Sequence, residues 1–309
     1  MDNLRKIGLT ALGTALVSTA SFAGDMAVTG TAKINFAGGD NTNTGNGLSA
    51  DNTMSFAGSG ELDNGWTVAY SHAIDDGDND ANSITLGLGD GGTLVFEGEG
   101  GSGPVEEWDD VMPTANEESW DLAASTKSGL SDGSEGNNNF TYTTPELVEG
   151  LAITLFHQPS DAAQGSSTEW GLKYTGIEGL EVGYAGGENN DTITNSIDNT
   201  VLYAKYTLDA FTIGAQANDG NQTTANSDTD FRAYGVSYAV SDELSVSLGV
   251  SKVEHESGAS LDDQEATGIS FSYVSGGMTV AGAYNKVDNV GGTSTVDNTG
   301  YELNVAFAF

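Results

Sequence analysis

The chain closes on "GYELNVAFAF", residues 300–309, and the reading of this stretch decides the fold. Tyr301, Leu303, Val305, Phe307 and Phe309 alternate with Glu302, Asn304, Ala306 and Ala308. A period of two marks an extended strand whose two faces meet different surroundings. Polar, frayed tails are the commoner way for a chain to end. A large apolar stripe running to the last residue therefore needs a medium that covers it.

The same period recurs upstream. "MAVTGTAKINF" (26–36) sets Met26, Val28, Ala32, Ile34 and Phe36 against Ala27, Thr29, Thr31, Lys33 and Asn35. "WTVAYSHAI" (66–74) and "LSVSLGV" (244–250) alternate in the same way. Sixteen strands are expected, near 26–36, 53–61, 66–74, 82–89, 93–98, 138–143, 151–157, 167–174, 179–185, 199–206, 210–217, 230–239, 243–254, 265–274, 277–287 and 300–309. All four prolines fall outside them, where a residue without an N–H breaks no ladder. Connections such as "LDNG" (62–65) and "SGG" (275–277) are tight and suit hairpins. The intervening ones, among them 37–52, 75–81, 186–198, 218–229, 255–264 and 288–299, are longer and crowded with Asp, Asn, Thr and Gly.

Composition narrows the partners. Forty-five Asp and Glu against nine Lys and Arg give a net charge of −36, which excludes a nucleic-acid partner held through its phosphates. The absence of Cys removes disulfides, thiolate metal sites and cysteine nucleophiles. The first residues form a separate unit. Arg5 and Lys6 precede the small apolar run 7–20, and Ser21 and Ala23 stand before an expected cleavage point. That is the layout of an export leader, so 1–23 is read as a removed signal peptide and 24–309 as the folded unit. No later run is long and apolar enough for a spanning helix. Membrane barrels escape that test because only alternate residues face lipid.

The expected fold is all-β: a 16-stranded antiparallel transmembrane β-barrel, up-and-down, with one trimmed and one elaborated rim. The last strand then pairs with the first, because an open edge in lipid leaves backbone groups unpaired. A soluble sandwich or β-helix with acidic, ion-binding loops stays open as an alternative on these residues alone.

The order of pieces resembles the Gram-negative general porins, most of all their alphaproteobacterial branch. The pieces are the leader, "GELDNGWTVAYSH" (60–72), "GGTLVFEGEGG" (91–101) ahead of a long insertion, "NNNFTYTTPELVEGLAITLFHQ" (137–158) and Phe309. The resemblance implies a homotrimer in the outer membrane, in contact with its lipid and lipopolysaccharide. It also implies that the third external loop folds inward to constrict the pore. Here that loop is 99–137, with Glu106, Glu107, Asp109, Asp110, Glu117, Glu118 and Asp121 as its acids and Trp108, Val111, Met112 and Trp120 as wall anchors. The family sets such a loop against arginines, whereas Arg232 is the only arginine after the leader and its phase puts it on the outer face. Lumen-phase cations are Lys33, Lys173 and Lys205.

The expected activity is passive diffusion of small hydrophilic solutes and ions, cations before anions, with no bond chemistry and no required cofactor. Two alternatives remain: a substrate-specific outer-membrane channel, and a non-channel surface protein that binds divalent cations. "DDGDND" (75–80) offers Asp76, Asp78 and Asp80 as a weak Ca²⁺ or Mg²⁺ site, although Gly87 stands where an EF-hand needs its bidentate Glu. "GEGGSG" (98–103) and "GLSDG" (129–133) match nucleotide and nucleophile motifs but open no helix. His72, His157 and His255 share no metal-ligand spacing.

Overall fold

The computed structural model describes residues 26–40, 47–122, 133–161, 165–192, 195–223, 227–256 and 261–309. The expected leader, 1–23, lies outside them. Sixteen antiparallel strands close into a barrel. In chain order they are β1 (Ala27–Gly39), β2 (Leu48–Glu61), β3 (Thr67–Asp75), β4 (Asp78–Gly87), β5 (Thr93–Glu99), β6 (Asn139–Thr143), β7 (Leu151–Gln158) and β8 (Ser167–Ile177). They continue as β9 (Leu180–Thr192), β10 (Asn195–Leu208), β11 (Phe211–Gln222), β12 (Thr229–Ala239), β13 (Leu244–His255), β14 (Gln264–Ser275), β15 (Met278–Asp288) and β16 (Asn298–Ala308).

Every strand pairs with its sequence neighbours, and β16 closes the ring on β1. That ladder runs from Thr31↔Ala308 to Gly39↔Gly300. Gly30 and Phe309 extend it by exchanging N–H···O bonds of 3.2 and 2.9 Å. No edge is left open, as hydrocarbon requires.

Burial is inverted relative to a soluble protein. On β16, Phe309 is 79% exposed and Glu302 only 9%. Tyr301, Leu303 and Phe307 are likewise exposed outside, while Asn304 and Ala306 are buried inside. Ile213, Leu248 and Ile269 repeat the pattern on β11, β13 and β14. The alternation in "GYELNVAFAF" is thus a boundary between lipid and lumen.

Two expected loops are corrected. The segment 75–81 is a two-residue turn, with Asp76 and Gly77 both at positive φ (49° and 96°). Such a turn matches the strands' twist and favours Asp-Gly. Most of 186–198 is ladder as well: β9 runs to Thr192 and β10 starts at Asn195. Likewise β2 begins at Leu48, not 53, and β11 extends to Gln222, not 217. All of these extensions lie at the long-loop rim. Beyond the hydrocarbon a strand needs no apolar stripe, so its backbone pairing continues where alternation has stopped.

The inner wall is not uniformly polar. Phe231, Ala233, Val253, Ala266 and Val287 face inward on β12 to β15 and are buried with Met112 and Trp120. The third long connection covers them.

Candidate functional site

The described parts of the connection expected at 99–137, residues 99–122 and 133–137, enter the barrel. Its two roots pair as a short ribbon, Gly101–Ser102 with Glu135–Gly136. Helix α1 (Pro104–Trp108) follows, with Pro104 at the first helical turn, where a missing N–H costs nothing. The helix lies against β8 to β10, where Gly171 leaves room for Trp108 and where Val105 and Trp108 pack on Ala185, Val201 and Tyr203. A Cβ on Gly171 would strike Trp108, and one on Gly183 would strike Tyr203. Trp108 meets Tyr203 edge-on, with ring centres 6.0 Å apart and planes at 80°.

From α1 the segment tracks around the wall on polar contacts. The Asp109 carbonyl accepts from Gln216 Nε2 and from Asn218 Nδ2, the latter at 3.2 Å. Ala115 N–H donates to Ser247 Oγ and Asn116 N–H to Ser270 Oγ, both at 3.0 Å. Asn116 Nδ2 donates to Glu302 at 2.7 Å, and Asn285 Nδ2 to the Glu118 carbonyl at 2.6 Å. Trp120, near the end of this described stretch, lies edge-on against Phe231, centroids 5.0 Å apart at 89°. Trp108, Met112 and Trp120 are buried, and Val111 packs between the two apolar clusters, so the four expected anchors do anchor the loop.

The acids divide by position. Glu106, Glu107, Asp109, Asp110 and Glu118 line an open lumen of about 2240 Å³. Glu117 and Asp121 instead join Glu118 in a carboxylate cluster, with one oxygen of each within 4.8 Å of the others. Burial first, then the charges of Asp121 and Glu302, push the Glu117 carboxyl up to about 9. Burial and the charges of Asp110 and Asp121 push Glu118 well up as well. At neutral pH this cluster therefore holds protons. A raised folded-state pKa contributes stability that is complete below about pH 4.5, the ordinary glutamate value, and is lost as pH climbs through about 9. Current noise from the loop is expected to rise between pH 7 and 10 in single-channel records, and Glu117→Gln to blunt the rise.

Lys33, Lys173 and Lys205 all face the lumen. Each meets a carboxylate: Lys33 lies 3.6 Å from Asp51, and Lys205 and Lys173 lie 3.0 and 3.8 Å from one oxygen of Glu181. Arg232 is exposed in phase with Tyr234 on the outer face, as its spacing implies. The expected trio Asp76, Asp78 and Asp80 is not one cluster. Asp76 gathers instead with Asp51 and Asp75, while Asp78 and Asp80 sit on β4 and Asp80 lines the lumen. The tight turn after Asp75 explains this, since it folds Asp76 back over β2, where it accepts from Asn52.

Sequence reasoning missed two wall residues. Glu169, 1% exposed on β8, accepts from Val105 N–H at 2.8 Å and Ser134 N–H at 2.5 Å, and so grips both roots of the loop. Glu97 on β5 faces Glu107 across the lumen margin. Both lay in strand phase among Thr, Gly and Ser, and no local signal separates a loop clamp from an ordinary lumen acid.

Among solved structures the chain is similar to the "Anion-selective porin from Comamonas acidovorans", at 14% identity and TM-score 0.71, covering 92% of this chain and 99% of that one. A trimer form of OmpT, an outer membrane protein of Vibrio cholerae, aligns at 14% identity and TM-score 0.72, over 93% and 100%. Salmonella typhi OmpF, in complex with daunomycin, aligns at 14% and 0.71, over 93% and 98%. At these identities the likeness establishes the barrel fold. No curated protein matches the chain in sequence. The sequence model of the Gram-negative porins matches residues 8–266 and 174–309. Closed barrel, inward loop and family match together place this chain in the Gram-negative porin family, the diffusion channels of the outer membrane.

Proposed function

We propose that the channel passes small hydrophilic solutes passively and prefers cations to anions. The observation that carries this reading is the charge of the lumen. Among the described residues that line it stand thirteen Asp and Glu, of which Glu118 belongs to the protonated cluster, and three Lys. Each of those lysines already faces a carboxylate. Acids in a cleft with low-dielectric walls concentrate counter-ions. The Comamonas porin's anion selectivity belongs to that protein's own lumen and does not carry over at 14% identity.

Reversal potentials across a salt gradient in a planar bilayer test the proposal. Near 0.1 M salt the cation-to-anion permeability ratio is expected on the order of tenfold. It should fall towards one at about 1 M, where screening shortens to roughly 3 Å. A reversal potential of anionic sign would overturn the reading.

We further propose a homotrimer embedded in outer-membrane lipid and lipopolysaccharide. The trimer form of Vibrio cholerae OmpT, which shares this barrel fold, supports that assembly. For divalent cations the fitting donors are the carboxylates of Asp51, Asp75 and Asp76, an all-oxygen set of the kind Ca²⁺ or Mg²⁺ takes.

A further inference from the structure

One corner of the lumen carries more positive than negative charge. Lys173 on β8 and Lys205 on β10 share a single carboxylate, Glu181 on β9. The Tyr203 hydroxyl donates to the same oxygen at 3.0 Å, and the Lys205 ammonium lies 5.4 Å from the Tyr203 ring centre. Two lysines against one acid leave a surplus positive charge. Lys33, by contrast, is matched one-for-one by Asp51.

Immediately above this corner on the same wall lies α1. The helix rests on Gly171 and Tyr203, each two residues along its strand from Lys173 and Lys205. Two strand residues advance about 7 Å. The exposed residue of α1 is Glu107, which lies within electrostatic range of both the Tyr203 hydroxyl and Glu97. A carboxylate ledge is therefore stacked over an ammonium ledge, along the passage and not across it.

A simple cation is drawn to the upper ledge and repelled by the lower, and an anion meets the reverse. A solute that carries an ammonium and a carboxylate at a spacing comparable to that between the residues seating the two ledges, about 7 Å, satisfies both at once. An extended chain advances roughly 3.3–3.6 Å per residue, so a dipeptide carries its ammonium and carboxylate at about that separation. We propose that this wall is a bipolar seat for zwitterionic solutes of dipeptide size. The ammonium lies towards Glu107 and Glu97, and the carboxylate towards Lys173 and Lys205. This rests on the channel reading above and names a preferred solute class for it.

The test is proteoliposome swelling at low salt and sub-saturating solute, comparing diglycine with N-acetylglycinamide, which is near in size and uncharged. Diglycine is expected to enter roughly three- to tenfold faster, the worth of one or two partly screened ion pairs. In Lys173→Gln/Lys205→Gln the ratio should fall to near one. Glu107→Gln, on an exposed side chain that the fold does not need, should lower it as well. A ratio of one or less in the unaltered protein, or a ratio that survives both variants, would overturn the seat. If that happens while cation-selective conductance is normal, the seat alone is lost. If the unaltered protein conducts no ions, the channel reading falls and takes the seat with it.

Discussion

Replacing Glu169 by Ala is expected to release the inward loop from the wall and widen the pore. The Glu169 carboxylate is 1% exposed and accepts one N–H from each root of the loop, Val105 and Ser134. Gly103 and Gly187 make room for it, since a Cβ at either would collide with the glutamate side chain. Removing the acceptor strands two buried donors, at about 1–3 kcal/mol each. At the lower limit that lowers the docked-to-released ratio about thirtyfold. Larger single-channel conductance, added open-channel noise and faster swelling with large neutral oligosaccharides should appear together. Glu169→Gln keeps one acceptor and should fall between. Unchanged conductance in Glu169→Ala would mean that Trp120 against Phe231 and the Ser247 and Ser270 contacts hold the loop unaided.

A charge introduced on the outer face should be far more damaging than the same charge inside. Leu248 is 47% exposed midway along the apolar outer row Val246, Leu248, Val250 of β13. Leu248→Arg is expected to cost about 2–4 kcal/mol, the figure for a cation near the bilayer midplane. Thr31→Arg, exposed in the lumen, should cost within about 0.5 kcal/mol, as surface substitutions usually do. Urea unfolding in lipid vesicles, read by the shift of folded and unfolded bands, measures both. Equal costs would show that the outer face is not wetted by lipid.

The inward loop was partly legible. Trp108, Met112 and Trp120 stand out as large apolar residues inside an acidic loop, and they pack where such residues must once the loop enters the barrel. The acids were legible as a set but not by role. Nothing in "NEESWD" (116–121) shows that Glu117, Glu118 and Asp121 gather into one cluster, with Glu302 of β16 close enough to act on Glu117. Those roles depend on Glu302, nearly two hundred residues away in sequence. Phe231 and Val253 likewise break the rule that lumen-phase residues are polar, because the loop that dries them comes from another part of the chain.

The sequence by itself determined the strands, their facing and the barrel's closure. Each of these follows from local alternation, from turn chemistry at pairs such as Asn64–Gly65, and from a lipid boundary that penalises any unpaired edge. Tertiary structure alone decided which carboxylates meet, which lysines share Glu181, and that Glu169 ties down both roots of the loop. Those outcomes rest on distances between residues of different strands. Such distances are set by the ring's register and by where small residues let the loop approach the wall, which no local pattern records.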